Sequence, residues 1–181
     1  ARNPIRIGLI GFLRYEHSIR ALINFVQNAG GEFVLVCYGD GPLIDIIRAN
    51  IGPHVFYGGS FSSPKDLKRI YEDIDVNYIV YDPASRNVQL AMPNKFYESL
   101  FYRVPIIAAK GTVLAKKVLE LGVGLDVPLN DSLVYAARLT QLTHHSLMEY
   151  RRKCDGVDPQ LFLDDSQNTV RRILLFSPQK I

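Results

Sequence analysis

The chain is short of cysteine. Its 181 residues hold two, Cys37 and Cys154, too few for a disulfide framework, so a reducing compartment is the default expectation. Cys37 sits in an apolar run and reads as a small buried hydrophobe. Long apolar runs are also lacking. None approaches the ~18–20 residues of a membrane helix, and no signal peptide is visible. The chain begins with Ala1 and not Met, as a piece excised from a longer polypeptide would. Charge of one sign is scarce as well: 21 Lys and Arg stand against 18 Asp and Glu, a net +3. So mild and dispersed an excess suits an anionic small ligand at one site and argues against nucleic acid. The one basic run, Arg151-Arg152-Lys153, reads as a solvated helix face. His54 and the His144-His145 pair have no metal-ligand spacing with other His or Cys, so surface positions are expected of them. Several enzyme signatures are missing. Gly8-Leu9-Ile10-Gly11 is not G-x-G-x-x-G, which disfavours a nicotinamide dinucleotide. The absence of G-x-x-x-x-G-K-[ST] excludes a P-loop enzyme, and that of G-x-S-x-G argues against an α/β-hydrolase. Gly11-Phe12-Leu13 offers no acidic cluster, which a receiver domain would need at the end of its first strand.

What is present is an ordinary globular composition, 48% apolar and 22% charged. The length suits one domain over residues 1–181, with enough chain for a real core. Short apolar runs at residues 5–10, 33–38, 55–57, 76–81, 105–109 and 122–127 read as buried strands. Helical stripes lie between them. One is Ile19, Leu22, Ile23 and Val26, closed by Asn28-Ala29-Gly30-Gly31. Another is Leu67, Ile70, Tyr71 and Ile74, with Ser63-Pro64 as its expected cap. Thr112 is the expected cap of a third, with Leu114, Val118 and Leu121 inward. Gly39-Asp40-Gly41-Pro42 reads as a sharp turn, residues 82–90 as a polar loop, and residues 131–142, 146–153 and 166–176 as helices. Buried strands alternating with helices mean βαβ units and a parallel sheet. In such a sheet ligands sit at the carboxyl ends of the strands, near a switch in strand order.

Residues 92–109 concentrate the chemistry. Pro93 suits the first helical turn, where its missing N–H costs nothing. The free N–H groups of Asn94, Lys95 and Phe96 then point out of the helix end, where anions and phosphate above all are attracted. Lys95 adds a full positive charge. Glu98, three residues on and on the same side, suits hydrogen bonds from sugar hydroxyls such as those of a ribose. A plainer reading of the same spacing makes Lys95 and Glu98 a surface i,i+3 pair worth little. Pro105 stops the helix and a strand follows at once.

With these loops placed, the chain resembles the C-terminal, donor-binding half of a GT-B glycosyltransferase of the group 1, or family 4, type. Ile7-Gly8-Leu9-Ile10-Gly11-Phe12-Leu13-Arg14 resembles the opening strand and glycine loop, and Gly39-Asp40-Gly41-Pro42 the "G-x-G-P" turn. Val55-Phe56-Tyr57-Gly58-Gly59 resembles the "v-x-f-x-G" strand, and residues 67–75 the "l-x-x-i-y-x-x-a-D" helix. Residues 93–108 resemble "P-x-K-x-x-E-x-x-x-x-G-x-P-V-I-A", the most specific segment. The resemblance implies an α/β, Rossmann-like three-layer sandwich, with a parallel sheet of about six strands, as one half of a GT-B fold. It implies retaining transfer of a sugar from a nucleoside-diphosphate sugar, UDP-linked among others, in polysaccharide or lipid-linked glycan synthesis. No metal or other cofactor is implied. Glu98 would hold the ribose hydroxyls, the amides around Asn94-Lys95 would meet the diphosphate, and Gly59-Ser60-Phe61 would lie by the base with Phe61 as a stacking face. Gly11 and Arg14 would join the same site, Arg14 by reaching a phosphate in place of the usual Arg; a solvated loop cation is the equal alternative for Arg14. The acceptor half would precede Ala1, and through it a cytoplasmic protein could sit at the inner face of the membrane.

The resemblance departs from the family pattern at four places. Leu90 stands where many members carry a Glu, eight residues before the ribose Glu. Phe12 and His17 stand where members often have Arg and Lys. Val104 is read as the replacement of the usual glycine before the helix-to-strand proline. A sugar-nucleotide epimerase half-domain and a non-catalytic nucleotide-binding module share the architecture and stay as alternatives, and no residue is assigned to bond making or breaking.

Overall fold

The computed structural model describes residues 3–158 of the chain. The helix expected over residues 166–176 lies outside them. Six strands, β1 (Ile5–Phe12), β2 (Phe33–Asp40), β3 (Val55–Tyr57), β4 (Val76–Ile79), β5 (Ile106–Ala109) and β6 (Gly124–Val127), form one sheet in the order β3-β2-β1-β4-β5-β6. Every pairing between them is parallel. Near-continuous apolar strands are what such a sheet demands, because helices cover both faces. Ile7, Leu35, Val76 and Ile107 face one core together with α1 (Glu16–Asn28), α2 (Ile44–Ala49) and α7 (Ser132–Leu139). The opposite face carries α3 (Leu67–Glu72) on β1 and β2, and α5 (Asn94–Phe101) and α6 (Val113–Leu121) on β4 to β6. The last described helix, α8 (His144–Asp155), joins the first face through Leu147 and the second through Cys154.

Most expected elements stand where the sequence puts them, with Thr112 accepting from the Ala115 amide at 3.0 Å as the cap of α6. Several details differ. The first two strands run longer than their apolar patterns, through Gly11-Phe12 and Gly39-Asp40, because the ladder continues between them. Gly39 makes this possible: a Cβ there would lie 1.9 Å from the Gly11 carbonyl oxygen. The polar loop of residues 82–90 ends in a short helix, α4 (Arg86–Leu90), with no buried residue, so no apolar periodicity announces it. Ser63-Pro64 does not cap α3. A turn comes first, in which the Ser62 carbonyl accepts from Asp66 N at 2.9 Å, and Asp66 is the residue at the cap.

Two corrections concern the segment around α5. Pro93 precedes the helix as its N-cap and is not its first helical residue, and its carbonyl accepts from the Phe96 amide at 2.9 Å. Only the Asn94 and Lys95 amides therefore remain as bare donors at that end. At the other end the glycine-like position is Arg103, not Val104. Arg103 has φ 59°, the left-handed conformation that glycine adopts freely. Its amide donates to Leu100 O at 3.1 Å and the Val104 amide to Ser99 O at 2.8 Å, a Schellman closure of α5. Val104 is buried core. The chain thus turns into β5 on a strained arginine, tied to α8 by a 2.7 Å ion pair from Arg103 Nε to Asp155 Oδ1.

Candidate nucleotide-binding site

The strand order reverses between β1 and β4. The connections leaving their carboxyl ends go to opposite faces and open a crevice there, the standard ligand position of an open α/β sheet. From β1 come Gly11, Phe12, Arg14 and Tyr15; from the segment after β4 come Tyr81, α4 and the start of α5. Phe12, Arg14, Tyr15, Tyr81, Pro93 and Lys95 line a cleft of about 750 Å³ at this point, of a size to take a small molecule. Tyr15 and Tyr81 stack on each other in its lining, centroids 4.9 Å apart, and the Arg14 guanidinium lies 5.0 Å from the Tyr15 ring centre.

Lys95 is the hinge of the arrangement. Its side chain passes directly over Gly11: a Cβ on that glycine would lie 2.6 Å from Lys95 Nζ and 2.8 Å from Cε. Gly11 has φ 103°, so the backbone itself favours glycine there. Lys95 is half-buried, and no carboxylate among the described residues pairs with it. Burial pulls its ammonium below the ordinary pKa of 10.5; Glu98 opposes this shift and Arg14 adds to it. The surface i,i+3 pair between Lys95 and Glu98 is thus not formed. A cation desolvated without a carboxylate partner among the described residues, beside a second cation and two bare amides at the N-terminus of α5, is an arrangement that suits an anion.

Glu98 points elsewhere. One carboxylate oxygen, Oε2, accepts the Tyr71 hydroxyl at 2.9 Å. Behind it runs a polar chain: Asn77 Nδ2 donates to the Tyr71 oxygen at 3.3 Å and to Ser99 Oγ at 2.8 Å, and Ser99 Oγ donates to the Lys95 carbonyl at 2.6 Å. Burial and the Glu98 charge push the Tyr71 phenol well above its ordinary pKa, so it stays a donor. Burial also pushes Tyr81 up to about 12, with Tyr15 and Glu98 in the same direction and Arg14 against.

Of the residues singled out from sequence, Gly11, Arg14 and Lys95 come together; Asn94, exposed at the helix start, and Glu98, one turn deeper, are not among the residues that line the cleft. Ser60 and Phe61 lie beyond β3 on the same edge, where Gly39 N donates to Gly59 O at 2.9 Å. Ser60 is exposed and Phe61 packs one side against the core cluster of Tyr38 and Leu67, outside the cleft lining. His17 opens α1 in a separate hollow with Asp82, Lys110 and Asn130. Among the described residues, no cluster of three or more His, Cys, Asp or Glu is placed to hold a metal ion. Sequence reasoning missed Tyr15, Tyr81 and the Tyr71–Asn77–Ser99 chain. The signal was Asn77, a lone amide inside the apolar run Val76-Asn77-Tyr78-Ile79, which must find buried partners.

No protein-family model matches the chain, and no curated protein matches it by sequence. Solved structures do. HepE from Anabaena, solved in complex with UDP, is 16% identical with TM-score 0.66; the match covers 97% of this chain and 50% of that one. The C-terminal domain of LpcC, a group 1 family glycosyl transferase from Francisella tularensis, is 16% identical over 83% of this chain and 82% of that one, TM-score 0.61. TarM from S. aureus, also solved with UDP, is 16% identical over 84% of this chain and 31% of its own, TM-score 0.66. These neighbours are GT-B glycosyltransferases. The chain has the fold of one half of a GT-B enzyme. It spans about a third of TarM and half of HepE. No helix among the described residues is long and apolar enough to cross a membrane.

Proposed function

We propose that the chain is the donor-binding half of a retaining glycosyltransferase that uses a nucleoside-diphosphate sugar, with the acceptor half elsewhere in a longer polypeptide. The observation that carries this reading is the half-buried Lys95 lying over Gly11 at the start of α5, with no carboxylate paired to it among the described residues. A diphosphate there would meet Lys95, Arg14 and the bare amides of Asn94 and Lys95. Those groups also stabilise the charge that develops on a departing diphosphate. Glu98, one turn deeper, suits the ribose. Support comes from the UDP complexes of HepE and TarM, which share the fold. Exposed Phe12 (65%) and Leu90 (62%) stand where the family pattern has an Arg and a Glu, which favours, as a second reading, a module that binds donor without transferring from it.

Titration calorimetry with UDP tests the site. Wild-type chain is expected to bind, and Glu98→Gln, which keeps an acceptor for Tyr71, to bind about tenfold less tightly with an unchanged melting temperature. Equal binding by both proteins would remove Glu98 from the site. Transfer of a labelled sugar from UDP-glucose to an acceptor by the 181-residue chain alone would overturn the proposal that a second half is required.

A further inference from the structure

We infer that Tyr71 is a positioning residue for Glu98: its hydroxyl holds one carboxylate oxygen so that the other is presented to the ribose of a bound nucleotide. The inference rests on the donor-binding reading above. Three features of the fold select Tyr71 for this task. The direction of its hydrogen bond is fixed, because Asn77 Nδ2 donates to its oxygen at 3.3 Å and thereby leaves the phenolic proton to Glu98 Oε2 at 2.9 Å. Its ring is clamped. Tyr71 is 2% exposed and stacks on Tyr102 with centroids 4.9 Å apart and planes 13° from parallel, so the hydroxyl has little freedom to follow a moving carboxylate. Finally, among the described residues Glu98 Oε1 has no partner and no cation forms an ion pair with the carboxylate.

A purely structural hydrogen bond would need none of this. Glu98 is only half-buried and water could satisfy it. Instead the polar chain ties it to β4 through Asn77, and through Ser99 to the backbone carbonyl of Lys95. The same chain therefore reaches both ends of the site: the carboxylate meant for the sugar ring and the residue meant for the phosphates. Asn77 is wholly buried, and its Oδ1 has no partner among the described residues, so the amide is committed to donation.

The test measures UDP and 2′,3′-dideoxy-UDP binding by calorimetry on the 181-residue chain. Wild-type chain is expected to prefer UDP by about tenfold, the worth of a hydrogen bond to a charged group. Tyr71→Phe keeps the ring and its stack on Tyr102. It is expected to weaken UDP severalfold to tenfold, leave dideoxy-UDP unchanged and so collapse the preference. In a Glu98→Gln background the same change is expected to add nothing. Asn77→Thr, which suits a strand and withdraws the Nδ2 donor, should lower the preference partway and serves if Tyr71→Phe folds poorly. An unaltered preference in Tyr71→Phe or Asn77→Thr, whatever happens to overall affinity, would overturn the positioning role and leave the donor site standing. A wild-type chain that binds both ligands equally, or neither, would instead overturn the ribose assignment of Glu98 and the inference with it.

Discussion

Lys95→Met separates an anion site from a surface charge. Methionine matches the length and volume of the lysine stem, so the packing over Gly11 is kept while the charge is removed. Two unit charges 4 Å apart interact by about 4 kcal/mol at an effective dielectric near 20. Water in the open cleft and the remaining Arg14 reduce the net effect to that of one charge-assisted hydrogen bond, about 1.5–3 kcal/mol. At about 1.4 kcal/mol per decade, UDP binding should weaken about 10- to 100-fold. Stability should move the other way. The folded-state pKa of Lys95 is lowered by burial, so the folded chain holds this proton less tightly than the unfolded chain. The charge therefore costs stability at neutral pH, a cost relieved only as pH rises between the lowered pKa and 10.5. Lys95→Met removes it, and the melting temperature at pH 7 is expected to hold or rise. In wild-type chain UDP affinity should fall as pH enters that same interval, and in Lys95→Met this fall should vanish. Calorimetry and thermal melts read both quantities. A variant that binds UDP as well as wild type, or that melts lower with binding unchanged, would refute the reasoning.

Two further substitutions probe neighbouring positions. Gly11→Ala places a methyl group 2.6 Å from Lys95 Nζ on a backbone of φ 103°; it should cost about 1–3 kcal/mol in a denaturant melt and weaken UDP binding in wild-type chain more than in Lys95→Met. Arg103→Gly relieves a left-handed arginine, about 1–2 kcal/mol, against an exposed ion pair to Asp155 worth at most about 1 kcal/mol; stability should hold or rise slightly. Val104→Gly, which empties a buried position, should lose about 2 kcal/mol or more, and the opposite order of the two variants would return the glycine role to Val104.

The sheet was legible because each of its six strands is a mainly apolar run, and a parallel sheet buries both faces of its inner strands. Helices with a stripe, such as Ile19-Leu22-Ile23-Val26, were legible for the same reason. The short helix at Arg86–Leu90 was not, since it buries nothing and leaves no period in the sequence. The positive φ at Arg103 shows only through the motif: counted from Pro93, the glycine of "P-x-K-x-x-E-x-x-x-x-G-x-P" falls on residue 103 and not on Val104, while arginine itself gives no local sign of a left-handed conformation. Lys95, Gly11 and Arg14 were named as separate marks. That Lys95 lies on Gly11 is a fact of three dimensions, because the two residues are joined only through the reversal of strand order between β1 and β4.

Tyr71 shows the limit of periodicity most clearly. It falls on the apolar stripe of its helix and is indeed buried, so the core reading of its ring holds. Periodicity reports where a ring goes and is silent about the hydroxyl at its end. A buried phenol must find a partner. Its neighbours in space are fixed by β4, which brings Asn77, and by α5, which brings Glu98 and Ser99. One helix packed on the sheet therefore does two tasks with one residue. The ring of Tyr71 packs into the core on the second face, and its hydroxyl donates to the Glu98 carboxylate. A change that preserves only the first, Tyr71→Phe, is the means of telling the two apart.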